Sequence, residues 1–168
     1  DLDNMEEAAA CYADAIAKGA QQPSVHRGLG NALQRLHRLA EAEAAYRAAL
    51  ALDPHDIAAL TDLGGTLVEL GRPLEGCDTL RRAARLAPQD PMVHANLGMA
   101  LDETGATAAA LQAFDRALAL DPGNTHALAY QILTLHRVGE CARVRDLVGL
   151  DNLVRELRLP LPAGYDSH

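Results

Sequence analysis

The chain has 168 residues, of which 49% are hydrophobic and only 3% aromatic, a composition that suits one helical domain with a core of alanine and leucine. Its formal net charge of −8 argues against a nucleic-acid partner, because phosphate contacts reward a basic face. No apolar run approaches the roughly 18 residues of a membrane span, so we expect no membrane partner.

The sequence repeats itself every 34 residues. Pro54, Pro88 and Pro122 stand at this interval (88 − 54 = 122 − 88 = 34), and the same step relates five further ladders of leucine, glycine and alanine. A fixed period of this size is typical of a solenoid, in which each unit buries its apolar face only against its neighbours. Such an architecture favours binding over chemistry.

Each period is predicted to contain two helices. The first helix of the middle unit is indicated by leucines at helical spacing, namely Leu60, Leu63, Leu67 and Leu70. Gly71 is suited to end that helix, Pro73 to open the next, and Pro88 to stop it. Gly105 and Gly139 recur at the same stop, where the first unit has His37. The fold class predicted is therefore an all-α solenoid of helical hairpins.

The period divides the chain into units of unequal completeness. Residues 1–22 align with the second helix of a truncated repeat, and Gln131 and Ile132 replace the ladder leucine and glycine in the last unit. We interpret the chain as a segment of a longer protein, and self-association through the truncated N-terminal end is one alternative. The predicted units are 1–22, three full repeats at 23–56, 57–90 and 91–124, a degenerate repeat at 125–149, a capping helix at 150–159 and a tail at 160–168.

These units resemble the tetratricopeptide repeat (TPR). In the third unit the match consists of Leu97, Gly98, Leu101, Ala110, Phe114, Ala117 and Pro122. One departure is consistent, because the place of the family's tryptophan holds His26, Leu60, His94 and Leu128. The resemblance covers residues 1–150. It implies a right-handed superhelix that binds a partner peptide along the first helices, which line its concave groove, without catalysis.

The outward positions of those first helices are the candidate groove residues. They are Arg27, Asn31, Arg35, Asp62, Glu69, Asn96, Met99, Glu103, Tyr130 and Arg137. Basic residues flank an acidic middle, so the groove hypothesis predicts a protein or peptide partner with a basic centre. The alternative is that these charges only solvate the helix faces. Gly28 and Gly65 are expected to leave room for a ligand backbone.

Residues 157–166 also resemble the joint in bacterial proteins that place TPR units before a 2-oxoglutarate/iron(II) oxygenase domain. That resemblance implies an alternative function, a substrate-presenting or oligomerising arm of an enzyme whose catalytic domain follows residue 168. In this chain no histidine is followed two places on by Asp or Glu, and no hydrolase or phosphate-loop motif occurs. We therefore predict no catalytic residues, no metal and no cofactor within it.

Three cysteines, Cys11, Cys77 and Cys141, lie far apart and lack the spacing of a metal or redox site. We interpret them as small apolar packing residues in a reducing compartment. The expected location is the cytoplasm.

Overall fold

A computed structural model describes residues 2–147 and residue 149, and all regular structure among them is α-helical. The predicted all-α class is therefore confirmed. The proposed capping helix at 150–159 and tail at 160–168 lie outside the described residues. The described helices are α1 (Leu2–Ala17), α2 (Pro23–Arg35), α3 (Leu39–Leu52), α4 (Ile57–Glu69), α5 (Pro73–Leu86), α6 (Pro91–Glu103), α7 (Thr107–Leu120), α8 (Thr125–Arg137) and α9 (Cys141–Leu147).

The helices stack as a solenoid with two layers. Each helix packs against the next in the chain, and the first helices α2, α4, α6 and α8 also contact one another in order. The backbones of the described second-layer helices (α1, α3, α5, α7 and α9) lie further apart, and side chains bridge some of them, as in the Arg47–Glu75 ion pair between α3 and α5 at 3.9 Å. Clefts of about 380 Å³ and 330 Å³ separate α1 from α3 and α3 from α5. Because the first-helix layer is the tighter one, the stack curves toward it, and that layer forms the inner wall.

Local sequence explains where the helices begin and end. Gly71 follows α4 with φ of 74°, a left-handed conformation that suits glycine, whereas His37 adopts φ of 57° after α2 at a steric cost. Asp56 caps α4 by accepting a hydrogen bond from the Ala59 amide at 3.0 Å. Asp90 and Asn124 cap α6 and α8 in the same way. The caps repeat with the period and hold the inner wall in register.

Within a hairpin, small residues let one bulky side chain lie across the partner helix. A Cβ atom added at Gly98 would come within 2.5 Å of the fully buried Phe114 ring, and Gly30 and Gly64 have the same relation to Tyr46 and Leu80. These ring and leucine side chains form the centre of each unit. At these three glycines the hairpins are packed so closely that an added methyl group would collide with the partner helix's side chain.

Two expectations about the second helices change with the structure. Cys77 is buried as predicted, but Cys11 and Cys141 are exposed. Packing therefore explains Cys77 and not the other two cysteines. None of the described side chains of α9 is buried, whereas the equivalent helix α7 buries five residues. In the last hairpin, the outer helix α9 therefore adds little to the hydrophobic core.

Candidate functional site

The inner wall is open near its centre. The four first helices share one register, so residues 34 apart occupy equivalent places, as do Asn31, Gly65, Met99 and Leu133. A Cβ atom added at Gly65 would meet nothing within 4 Å. The expectation that Gly28 leaves similar room is wrong, because the ring of Tyr12 lies 2.6 Å from the position of its Cβ. Space for a ligand is therefore found over α4, not over α2.

Asp62 stands beside this opening as a half-buried carboxylate. Burial raises its pKa to about 6, the Arg27 guanidinium opposes that shift, and the Asp56 carboxylate adds to it. Arg27 Nε lies 3.7 Å from Asp56 Oδ2, which is beyond hydrogen-bond distance, and this buried nitrogen has no hydrogen-bond partner among the described residues. In the described part of the chain no hydrogen bond reaches the Asp62 carboxylate. A cationic group placed next to it would be stabilised.

Asn31 and Glu69, two predicted groove residues, belong to a hydrogen-bonded chain across α2, α3 and α4. The Tyr46 hydroxyl donates to Asn31 Oδ1 at 2.7 Å and lies 3.0 Å from Gln34 Oε1. Gln34 Nε2 donates to Glu69 Oε1 at 2.7 Å. Burial, together with the nearby carboxylates of Asp62 and Glu69, raises the pKa of the Tyr46 hydroxyl. Asn31 and Glu69 therefore already form hydrogen bonds within the fold, which leaves them fewer free polar groups for a ligand.

The contact between Gln34 and Glu69 has a counterpart in the second half of the wall, where Arg137 forms an ion pair with Asp102. Both pairs join residues 35 apart on neighbouring first helices. The equivalent pair in the middle is Val68 with Glu103, and valine has no group to offer. Glu103 is exposed and has no hydrogen bond or ion pair within the described residues. The predicted acidic middle is thus reduced to two unpaired carboxylates, Asp62 and Glu103.

The wall over α6 and α8 is largely apolar. Tyr130 stacks on the buried Phe114 with ring centroids 6.4 Å apart, and the His126 ring meets its edge at 4.9 Å. Met99 and Tyr130 both pack against the core cluster that contains Phe114. Leu133, in the same row as Gly65 and Met99, is 64% exposed. The sequence prediction missed Leu133, although the 34-residue row that contains Met99 would have identified it.

The other predicted groove residues lie on the same wall, Arg35 and Arg137 at helix ends and Asn96 in the row of Asp62 and Tyr130. Arg35 is exposed at the end of α2, and Asn96 is half-buried on α6. Arg137 is tied to Asp102, so the basic flank expected at that end is already neutralised within the fold. The structure therefore brings together Asp62, Gly65 and the α6–α8 residues as the accessible part of the wall.

Residues 2–147 contain no group of three His, Cys, Asp or Glu side chains arranged to hold a metal ion. None of the helices in that range combines the length and apolarity that crossing a bilayer requires.

Comparisons with known proteins agree with the architecture. One tetratricopeptide repeat model matches residues 61–125 and another matches residues 23–56, so together they cover more than half of the chain. Both matched models describe this repeat, and neither describes an oxygenase. No curated protein matches the chain.

Solved structures share this fold at low sequence identity. MamA (residues 41 to the end) from Desulfovibrio magneticus RS-1 has a TM-score of 0.79 at 18% identity, over 93% of this chain and 88% of its own. YrrB, a TPR protein with an unusual peptide-binding site, has a TM-score of 0.71 at 24% identity, over 92% and 78%. The first TPR of Spaghetti (RPAP3), bound to the HSP90 peptide SRMEEVD, has a TM-score of 0.67 at 19% identity, over 70% and 94%.

Proposed function

Because this chain belongs to the tetratricopeptide repeat family, we propose that its inner wall binds an extended segment of a partner protein without covalent chemistry. The observation that carries the proposal is the open face at Gly65, with the Asp62 carboxylate on the same helix and the largely apolar wall of α6 and α8 beside it. Two proteins of the same fold, YrrB and RPAP3, have peptide-binding sites or bound peptides. This supports the same type of partner here.

The charges of the wall favour a segment with a basic centre. Arg137 forms an ion pair with Asp102, and Arg27 faces both Asp56 and Asp62 without a hydrogen bond from its Nε. Among the described residues, neither Asp62 nor Glu103 has a side-chain hydrogen bond or an ion pair within 4 Å. A Lys or Arg side chain that reached either carboxylate would gain a favourable pairing and would lower the pKa of Asp62. An acidic segment would instead meet like charge.

The proposal can be tested with a blocked groove and a matched control. A random peptide library displayed on phage is selected against the chain, and the enriched peptides are synthesised and titrated by fluorescence polarisation. Gly65→Gln fills the open face, whereas Ala44→Gln adds the same side chain to an exposed place on α3 in the outer layer. We expect Gly65→Gln to weaken binding at least about tenfold and Ala44→Gln to leave it unchanged. Equal affinities for the two variants would reject the groove.

A second titration examines the basic centre. The double variant Asp62→Asn, Glu103→Gln removes both unpaired charges with little change of shape. Enriched peptides are expected to carry Lys or Arg and to lose affinity for this variant, more so at low salt. Peptides that bind it as well as the original chain would show that the carboxylates have no part in binding.

The other candidate roles have less support. An oligomerising or substrate-presenting arm of an oxygenase is not favoured by any contact in the described residues or by the matched family models. Self-association through α1 has no contact in its support, since the described packing of α1 is against α2 alone. Cys11, Cys77 and Cys141 are free thiols, which supports a reducing compartment such as the cytoplasm.

A further inference from the structure

A surface over α6 and α8 combines an apolar floor with one free carboxylate. We call it the α6–α8 patch and define it by Met99, Glu103, Tyr130 and Leu133. Leu133 is 64% exposed, and Met99 and Tyr130 are half-buried on the core cluster beneath. Glu103 borders the patch on α6 and is exposed. An exposed leucine beside a methionine and a tyrosine is a good anchor site for a large apolar side chain.

The carboxylate of Glu103 is free for a structural reason. In the neighbouring hairpins, the equivalent inner-wall positions form the pairs Gln34–Glu69 and Asp102–Arg137. Val68 occupies the corresponding place opposite Glu103 and cannot donate a hydrogen bond. Arg137, the cation at that end of the wall, is already engaged with Asp102. A cation that complements Glu103 would therefore have to come from the partner.

The spacing of these two features limits the sequence of the occupant. Met99 and Glu103 are four residues apart on α6, so their places on the wall are about 6 Å apart along the helix axis. In an extended chain, side chains on one face alternate with those on the other, and successive side chains of the same face are about 6.6 Å apart. In a segment that runs along α6, two side chains separated by one residue therefore match the two features.

We propose that the α6–α8 patch takes a partner segment in which a large apolar residue and an Arg or Lys are separated by one residue. The apolar side chain lies on Met99 and Leu133, and the basic group reaches Glu103. This inference rests on the proposed binding of an extended segment by the inner wall, and it adds the spacing and the pair of side chains that the wall selects.

The test uses short synthetic peptides in a serine host, each acetylated and amidated. One pair carries Leu-Ser-Arg or Arg-Ser-Leu, a second pair has Leu and Arg adjacent, and a third carries Leu-Ser-Glu or Glu-Ser-Leu. Affinities are measured by amide NMR titration of the whole chain. We expect the better peptide of the first pair to bind about two- to fivefold more tightly than the adjacent pair, which can make only one of the two contacts, and more tightly still than the Glu pair, with shifts confined to α6 and α8. Equal affinity of the adjacent pair would overturn the spacing.

Variants then separate the two contacts. Glu103→Gln is expected to lower the affinity for the Arg peptides roughly two- to fivefold. It should leave unchanged the affinity for a serine peptide that carries one Leu and no Arg. Leu133→Ser is expected to weaken every Leu-containing peptide. Glu7→Gln removes an exposed carboxylate from α1 and is the matched control. If Glu103→Gln and Glu7→Gln act alike, Glu103 does not select the cation.

The two proposals fail in different ways. If library peptides lose affinity for Gly65→Gln but Leu-Ser-Arg and Arg-Ser-Leu show no advantage over the adjacent pair, the inner wall binds segments and the spacing is wrong. If the short peptides do not bind at all, the α6–α8 patch is not an anchor, whatever the library shows. If no library peptide responds to Gly65→Gln, the proposed function itself is wrong.

Discussion

Replacing Asp62 by asparagine should stabilise the protein near neutral pH and should make no difference in acid. Burial is the main reason that the pKa of Asp62 is raised to about 6, with Asp56 adding to the effect and Arg27 opposing it. An aspartate in the unfolded chain has a pKa of about 3.9. Between about pH 4 and pH 6 the folded protein therefore holds a proton that the unfolded chain has released, and its free energy of unfolding falls as the pH rises.

The size of this effect follows from the shift. A difference of about two pH units corresponds to at most about 3 kcal/mol, and because Asp62 is only half-buried, solvent reduces this to on the order of 1–3 kcal/mol. Asparagine keeps the shape of the side chain and carries no charge. Asp62→Asn is thus expected to raise the free energy of unfolding by that amount at about pH 7.5 and by almost nothing below about pH 4.

The assay is urea unfolding followed by circular dichroism at several pH values between these limits. Glu103→Gln is the matched control, because it removes an exposed carboxylate from the same wall and should change the stability by less than about 0.5 kcal/mol at every pH. Equal stabilities of Asp62→Asn and the original chain at about pH 7.5 would refute the reasoning. So would a difference that grows toward acid.

Further predictions concern the backbone and its packing. Gly98→Ala should destabilise the protein by about 1–3 kcal/mol, because the new methyl group would meet the Phe114 ring, whereas Gly65→Ala, the same change where there is space, should stabilise it by about 0.5–1 kcal/mol. Similar melting curves for the two variants would contradict this difference in packing. His37→Gly should stabilise by about 0.5–1 kcal/mol, because φ is 57° there and glycine adopts this conformation without a steric cost. Thermal melts of matched samples measure all three, and a lower melting temperature for His37→Gly would be the contrary result.

The fold could be predicted because each repeat contains similar residues at its helix ends and in its core. Pro73 marks the start of α5 because its ring fixes φ, and Gly71 follows the end of α4 because glycine tolerates the left-handed conformation there. Residues that pack across a hairpin recur at one interval, so Gly30, Gly64 and Gly98 share one position in the repeat. The structure adds what lies there, which at Gly98 is the Phe114 ring.

The candidate site was less predictable, because its properties depend on which side chains meet. The outward positions of the first helices indicate exposure, but not that Arg137 would be held by Asp102 or Asn31 by Tyr46. Such contacts join residues from different helices, and their partners are set by how the helices cross. Gly28 shows the same limit, since a glycine in the sequence does not reveal that Tyr12 fills the space above it.

Stability and binding should be linked at Asp62. A half-buried carboxylate without a hydrogen bond in the described chain destabilises the fold when it is ionised, and a cationic ligand group beside it would remove much of that penalty. At pH 6 about half of the Asp62 side chains are protonated, so binding of an Arg-containing peptide there should release up to about half a proton. Titration calorimetry in buffers of different ionisation enthalpy measures this release, and Asp62→Asn should abolish it. Proton release that is unchanged in Asp62→Asn would mean that another group in the complex titrates, and that the basic side chain does not lie beside Asp62.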